Sequence, residues 1–289
     1  MQIVGLALRA SVQPIYRLLG TAKAFPCRVG IPETQANVNF SVAFGPFSVA
    51  CDTLPEYPDD FVKAVITLVP DYGYAIVGPD PVSPERIYMS NSNNLILLPG
   101  LLCTRALWAP QIDALSGTHD ITVPDLGQHD TIAGMAAHVL SQAPDRFSLA
   151  GLSMGGYVAF EIFRQASERV ERIAFLDTSS RPDDETKRIR RQDLIDLAKR
   201  GNFKGVSPQL MPLFIHPDRA EDTVLTGIIT AMAMDIGSEG FVRQQIAISS
   251  RVDSAPTLAK IKCPALVIVG EHDILTPPEL AEEIAAGIK

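Results

Sequence analysis

The stretch FSLAGLSMGG, residues 147–156, decides how this chain is expected to fold. Its apolar run, residues 147–150, predicts a buried strand, and the sequence from Met154 onward predicts a helix. Between the two, glycines lie two residues before and two residues after Ser153, which leaves room for a sharp turn. Such a turn would raise the Ser153 hydroxyl above the sheet, and we therefore interpret Ser153 as a candidate nucleophile.

The alternation of apolar strands and helices continues on both sides of this turn. Strands are predicted at residues 95–98, 121–123, 147–150, 173–176 and 265–269, and helices at residues 106–115, 132–142 and 154–165. Strands that alternate with helices form parallel sheets, so an α/β fold with a mostly parallel sheet flanked by helices is expected. Residues 182–257 lack the strand pattern and predict a helical cap insertion over the carboxyl ends of the strands.

The loop at residues 99–102 follows the first predicted strand and contains a glycine that lets its backbone approach a reacting oxygen. The N–H of Leu101 is the first candidate for an oxyanion-hole donor, and that of Leu102 is the second. The N–H of Met154, at the start of the predicted helix, is expected to be the other donor. An ordinary strand-ending turn is the alternative interpretation of residues 99–102.

Asp273 lies in the loop after the last predicted strand, at the same end of the sheet. A carboxylate at this position can orient a histidine and stabilise its protonated form. We therefore interpret Asp273 as a candidate triad acid, with the alternative that it only forms the turn before a proline-led helix.

Together these motifs resemble the α/β-hydrolase family, in particular its small, cap-bearing, carboxylesterase-like serine hydrolases. The resemblance covers residues 94–289 and rests on LLPGLLCTRALW, DLGQHDTIAGMAAHVL, FSLAGLSMGGYVAFEI, RIAFLDTSSRPD and VIVGEHDILTPP, in that order. It implies an α/β-hydrolase fold and the hydrolysis of carboxylic esters through an acyl-enzyme on Ser153, with Asp273 as the acid. It also implies that neither a metal nor an organic cofactor takes part.

The catalytic histidine of that family follows the acid by one helix and one strand, and this sequence has no histidine after Asp273. Its histidines are His119, His129, His138, His216 and His272. His129 and His216 are the two that could replace the missing base, although a structural or exposed role is more typical of each. We therefore expect a chain truncated before the histidine, with low activity and an open edge on its sheet.

Two alternative functions stay open. The first is a truncated or non-catalytic protein of the same fold that binds apolar ligands, because loss of the base removes several powers of ten in rate. The second is thioester hydrolysis, acyl transfer or carbon–carbon cleavage at the same site, since a fold does not choose its reaction. Apolar cap residues could line an acyl pocket or simply pack: Leu210, Met211, Leu213, Phe214, Ile228, Ile229, Met232 and Met234.

Residues 1–88 have a looser, proline-rich pattern, and the polar run at residues 90–94 predicts a boundary there. We expect an N-terminal extension of unknown role at residues 1–88, with a small hairpin between residues 37 and 51, and a hydrolase domain at residues 89–289. The alternative is that the natural protein starts at Met89.

The composition excludes several classes of function. A net charge of −8 and a pI near 5.1 argue against a nucleic-acid partner. The sequence contains no unbroken apolar run long enough to span a membrane. The four cysteines are widely scattered, which predicts neither a metal site nor a disulfide framework. We therefore expect a cytoplasmic protein of undetermined oligomeric state that acts on a small ester or acyl substrate.

Overall fold

Six strands form one sheet in the part of the chain that the computed structural model describes, namely residues 73–77, 92–207 and 210–288. The strands are β1 (Gly73–Val77), β2 (Asn94–Leu98), β3 (Asp120–Thr122), β4 (Phe147–Leu152), β5 (Val170–Leu176) and β6 (Ala265–Gly270). The α-helices of these residues are α1 (Ala109–Leu115), α2 (Ile132–Gln142), α3 (Met154–Ala166), α4 (Glu185–Leu197), α5 (Thr223–Ser249), α6 (Ala255–Leu258) and α7 (Pro278–Gly287).

The order of the strands across the sheet is β1-β6-β5-β4-β2-β3. Strands β2 to β6 pair in parallel, and β1 pairs antiparallel with β6. The predicted α/β fold, with a parallel sheet of five strands flanked by helices, is therefore confirmed. Strand β4 lies between β2 and β5, so the turn that follows β4 lies at the centre of the sheet.

Both faces of the sheet are buried along β2, β4, β5 and β6, because the apolar side chains of these strands alternate between two cores. One core joins Ile96, Leu98, Leu149, Ile173, Phe175, Val267 and Val269 to helices α2, α3 and α7. The other core joins Leu95, Leu97, Ala150, Leu152, Ala174, Leu176, Leu266 and Ile268 to residues 107–115 and to the cap. This continuous burial fixes the strand ends from which the candidate site is built.

Strand β1 lies along the outer edge of β6, where its pairing runs from Gly73 opposite Gly270 to Val77 opposite Leu266. The sequence predicted an open edge here, and in the structure β1 covers it. The segment that supplies β1 lies within residues 1–88, whose division from the hydrolase domain stays a prediction. The hairpin predicted between residues 37 and 51 lies outside the described residues.

The two largest differences from the predicted boundaries are at the first helix and at β5. The helix predicted at residues 106–115 begins instead as a 3₁₀ turn, Arg105–Trp108, and α1 follows with Pro110 in its first turn. Proline is favoured in the first turn of a helix because the N–H groups of that turn have no partner within the helix, and proline has no N–H. Strand β5 begins at Val170 rather than residue 173, since the pairing with β4 starts there.

The cap, residues 182–257, is helical and contains no strand among its described residues. Helix α4 begins where the Asp184 side chain accepts a hydrogen bond from the N–H of Lys187, and α5 begins where Asp222 does the same for Leu225. Gly237 interrupts α5 with a φ of 68°. Within the described residues, no helix is both long enough and apolar enough to cross a membrane.

Candidate active site

The turn between β4 and α3 carries Ser153 at a φ of 52°, a conformation that few residues other than glycine adopt. Two contacts with the end of β5 hold it there. The N–H of Ser153 donates to the carbonyl of Leu176 at 2.9 Å, and the hydroxyl of Thr178 donates to the carbonyl of Ser153 at 2.8 Å. Strain of this kind persists only where surrounding contacts hold it, which is the usual condition of a functional turn.

The two glycines that flank Ser153 are required by the backbone around them. A Cβ atom on Gly151 would overlap the carbonyl of Gly155, and one on Gly155 would overlap the carbonyl of Leu98. Side chains are therefore excluded at both positions, and β4, the turn and α3 can pack closely. The resulting strand–turn–helix at residues 151–155, called the elbow below, leaves Ser153 partly exposed.

The loop at residues 99–102 lies directly against the elbow. A Cβ atom on Gly100 would lie 3.6 Å from the Cβ atom of Ser153, which shows how closely the two segments approach. The N–H of Leu102 donates to Oε1 of Gln244 in the cap at 3.0 Å, so this second candidate for the oxyanion hole is already engaged. The N–H groups of Leu101 and Met154 donate to no other described residue.

The loop at residues 270–276, called the acid loop below, holds Asp273 in a fixed orientation. The N–H of Asp273 donates to the carbonyl of Gly270 at 3.0 Å. Its Oδ1 accepts from the N–H groups of Leu275 and Thr276 at 2.7 and 2.9 Å, and its Oδ2 accepts from the Thr276 hydroxyl at 3.0 Å. These bonds stabilise a carboxylate, and Asp273 is buried.

A second buried acid, Asp177, was not among the candidates from the sequence. It follows β5, has a φ of 42°, and accepts a hydrogen bond at Oδ1 from the N–H of Gly270 at 2.8 Å. Burial, together with a smaller contribution from the nearby charge of Asp273, raises the pKa of Asp177 to about 7. The polar residues that directly follow the apolar run at residues 173–176 were a signal in the sequence that could have identified Asp177.

The five histidines have local partners in the structure. The ring of His216, in the cap, lies 5.4 Å from the ring of His272, next to Asp273, and its Nδ1 lies 3.5 Å from Oδ2 of Asp218. The rings of His129 and His138 lie 5.1 Å apart, and Nδ1 of His119 lies 2.9 Å from the Thr118 hydroxyl. Of the two histidines considered as replacements for the base, His216 is therefore the one associated with the acid loop.

The apolar cap residues differ in burial, and Leu213 is partly buried. Ile229 and Met232 are fully buried, whereas Leu210, Met211, Phe214 and Ile228 are partly buried, and all six pack in the same core as Leu102. Met234, in contrast, is 56% exposed. Core packing therefore accounts for the buried pair, and a pocket-lining role for the partly buried group stays a prediction.

The described residues also include a buried cysteine and side chains that could bind a metal ion. Burial raises the pKa of the Cys103 thiol to about 12, so the thiol stays protonated and unreactive. Within residues 73–77, 92–207 and 210–288, no group of three or more histidine, cysteine, aspartate or glutamate side chains is arranged to hold a metal ion.

The parallel sheet, the elbow after its central strand and the helical cap together define an α/β-hydrolase. Comparison with known proteins agrees with this class. A family model described as a thioesterase domain matches residues 114–237. The chain is 26% identical over 225 residues to a putative carbamate hydrolase, RutD, of Rhizobium rhizogenes, and the match covers 68% of this chain and 81% of the relative.

Two further likenesses involve esterases. The chain is 22% identical over 225 residues to a pimeloyl-[acyl-carrier protein] methyl ester esterase of Aliivibrio salmonicida, covering 68% of this chain and 80% of the relative. Its structure is similar to that of a thermophilic esterase from Thermogutta terrifontis, with a TM-score of 0.58, 25% identity and coverage of 75% and 81% of the two chains. The chain belongs to the α/β-hydrolase superfamily.

Proposed function

We propose that this protein is a serine hydrolase that cleaves carboxylic esters of small molecules through an acyl-enzyme on Ser153. The observation that carries the proposal is the strained, partly exposed Ser153 beside two backbone N–H groups, those of Leu101 and Met154, that donate to no other described residue. An oxyanion hole requires such uncommitted donors. The ester hydrolases among the similar proteins favour the same reaction.

The reaction would follow the usual course for an activated serine. The Oγ atom of Ser153 attacks the carbonyl carbon of the ester, and the carbonyl oxygen becomes an anion that accepts hydrogen bonds from Leu101 and Met154. A base takes the proton of Ser153 and passes it to the leaving alcohol, while Asp273 orients that base. Water then attacks the carbonyl carbon of the acyl-enzyme. The base takes a proton from the water and returns it to Ser153, and the carboxylic acid is released.

Labelling of Ser153 by a fluorophosphonate probe tests this proposal directly. We expect the full chain to label at one site and the Ser153→Ala variant not to label. The Ser141→Ala variant, which removes an exposed hydroxyl from α2, is the matched control and should label as the wild type does. Absence of labelling in the wild type, or p-nitrophenyl ester hydrolysis that survives Ser153→Ala, would contradict the assignment.

The identity of the base is tested separately. We expect slow ester hydrolysis, because the ring of His216 lies against His272 of the acid loop, the ring of His129 lies against that of His138, and Nδ1 of His119 lies against the Thr118 hydroxyl. Added imidazole should then accelerate hydrolysis by the wild type above the rate that imidazole alone gives, whereas Ser153→Ala should show only that background rate. If imidazole has no effect and His216→Gln abolishes labelling, His216 is instead the base.

Thioester hydrolysis is the second candidate function, because the matching thioesterase model spans the elbow. A thioester presents the same carbonyl to Ser153 and differs mainly in its leaving group. Acyl-thioester and p-nitrophenyl ester substrates with the same acyl chain separate the two functions, since release of thiol and phenol can be measured in parallel. A higher kcat/KM for the thioester than for the p-nitrophenyl ester would make thioester hydrolysis the preferred assignment.

A further inference from the structure

The segment formed by Leu176, Asp177 and Thr178 holds the elbow in place. Leu176 accepts the N–H of Ser153 at 2.9 Å, and Thr178 donates its hydroxyl to the carbonyl of Ser153 at 2.8 Å. Asp177 lies between these two residues. Its backbone therefore cannot move without moving the contacts that hold the candidate nucleophile.

The same segment also holds the acid loop. The N–H of Asp177 donates to the carbonyl of Ile268 at 2.9 Å, and its Oδ1 accepts the N–H of Gly270 at 2.8 Å. The carbonyl of Gly270 in turn accepts the N–H of Asp273 at 3.0 Å. A continuous series of hydrogen bonds thus runs from the elbow, through Asp177, to the candidate triad acid.

The environment of Asp177 favours its uncharged form. Its side chain is buried, and its Oδ2 has no hydrogen-bond partner among the described residues. The charged group that faces it from the acid loop is another acid, Asp273. Burial and, to a smaller extent, repulsion from Asp273 outweigh the opposing hydrogen bond from Gly270 and raise the pKa of Asp177 to about 7. Below neutral pH the folded protein therefore carries a neutral Asp177 next to Asp273.

We propose that Asp177 is a positioning residue which, in its uncharged form, fixes the distance between the elbow and the acid loop. The catalytic part of this inference rests on the proposed ester hydrolysis, whereas the ionisation of Asp177 does not. When Asp177 loses its proton, two neighbouring carboxylates repel each other, and the acid loop moves away from its position beside the elbow. Positioning errors on the order of 1 Å can lower rates by about 100-fold.

Unfolding of the full chain in urea, measured from pH 5 to pH 8, tests the ionisation without any use of activity. From pH 5 to about pH 7, Asp177 of the folded wild type keeps a proton that it has lost in the unfolded chain, so stability must fall as the pH rises. We expect the unfolding equilibrium constant of the wild type to rise by up to about tenfold per pH unit below pH 7.

In Asp177→Asn the side chain cannot ionise, and its amide can still accept the N–H of Gly270, so this dependence should disappear. Asp193→Asn, at an exposed position of α4, is the matched control and should keep the wild-type dependence. Equal pH dependence in the wild type and Asp177→Asn would overturn the inference. If Asp177→Asn does not fold, carbon-13 NMR of aspartate carboxyl groups in the wild type decides, because one carboxyl must titrate near pH 7.

The rate of fluorophosphonate labelling tests the positioning role. We expect Asp177→Ala to label about tenfold or more slowly than the wild type, and Asp177→Asn to recover most of that loss at pH 6. The ratio of the wild-type rate to the Asp177→Asn rate should fall as the pH rises from 6 to 8.5. Equal rates for the wild type and Asp177→Ala, or a constant ratio, would overturn the role, whereas a wild type that never labels would contradict the proposed function instead.

Discussion

The strands beneath Ser153 and the cap beside it are stabilised by different kinds of contact. Along β2, β4, β5 and β6, apolar side chains are buried on both faces of the sheet, and this burial is non-directional. The cap contributes fewer apolar residues and depends partly on buried polar groups. Gln244 joins the cap to Leu102 of the sheet domain, and within the cap Asp183 pairs with Arg191 and Arg251.

This difference predicts how each region responds to change. Apolar packing is distributed over many residues, so the position of the elbow depends on close backbone approach more than on any one side chain. A buried polar contact depends on two partners, and loss of one leaves the other without a bond. The cap should therefore be sensitive at a few identifiable side chains and tolerant elsewhere.

The largest effect is expected for Gly155→Ala, because the new Cβ atom would overlap the backbone of Leu98 and Pro99, which cannot move aside. We expect a loss of about 4 kcal/mol or more in the free energy of unfolding, or failure to fold. Gly227→Ala is the matched control, because nothing lies within 4 Å of the added atom in α5. It should stabilise the protein by up to about 1 kcal/mol in urea unfolding. Similar losses in both variants would show that the elbow is not specially constrained.

The sequence predicted the features whose causes are local. Alternating apolar residues and the glycines around Ser153 act on their own neighbours, so the strands and the elbow could be recognised directly. Asp177 and Gln244 act through residues that are 93 and 142 positions away in the chain, at Gly270 and Leu102. Pairings over such distances leave no periodic pattern, and the same reason explains why strand β1 was not predicted.

The second largest effect is expected for Asp183→Ala. The carboxylate of Asp183 pairs with Arg191 and lies 2.9 Å from Nη1 of Arg251, and its side chain is 1% exposed. Removal of the carboxylate leaves Arg191 and Arg251 without their negatively charged partner, so we expect a loss of about 3–5 kcal/mol in the free energy of unfolding. The exposed Asp193→Ala variant is the control and should change stability by less than about 0.5 kcal/mol.

The pH dependence of the same pair gives an independent measurement. Burial alone would raise the pKa of Asp183, but the Arg191 and Arg251 guanidinium groups outweigh it and lower the pKa below its usual value. The stabilisation is therefore complete above the usual aspartate pKa, near 4, and is lost as the pH falls toward the lower folded value. The wild type should lose stability on acidification more steeply than Asp183→Asn does. Parallel curves would contradict the role of the pair.

A smaller effect is expected for Gln244→Ala. Its side chain accepts the N–H of Leu102 and donates to the carbonyl of Leu126 at 3.5 Å, and both bonds are buried. Loss of the acceptor should cost about 1–3 kcal/mol, and labelling of Ser153 should slow because the loop that holds Leu101 loses its contact with the cap. Gln192→Ala removes an exposed glutamine of α4 and should change neither quantity. Unchanged labelling in Gln244→Ala would show that the cap does not position this loop.

The smallest effect is expected for Arg188→Ala, which removes an ion pair from the surface of α4. Nη1 of Arg188 lies 3.6 Å from Oε2 of Glu185, and the two side chains are 49% and 76% exposed. Water solvates both charges in the folded and unfolded chain, so the pair should contribute about 0.5 kcal/mol or less. This variant and Asp183→Ala both remove an arginine–carboxylate pair from the same cap. If urea unfolding gives similar losses for the two, burial is not what makes the cap depend on Asp183, and the contrast between sheet and cap needs another cause.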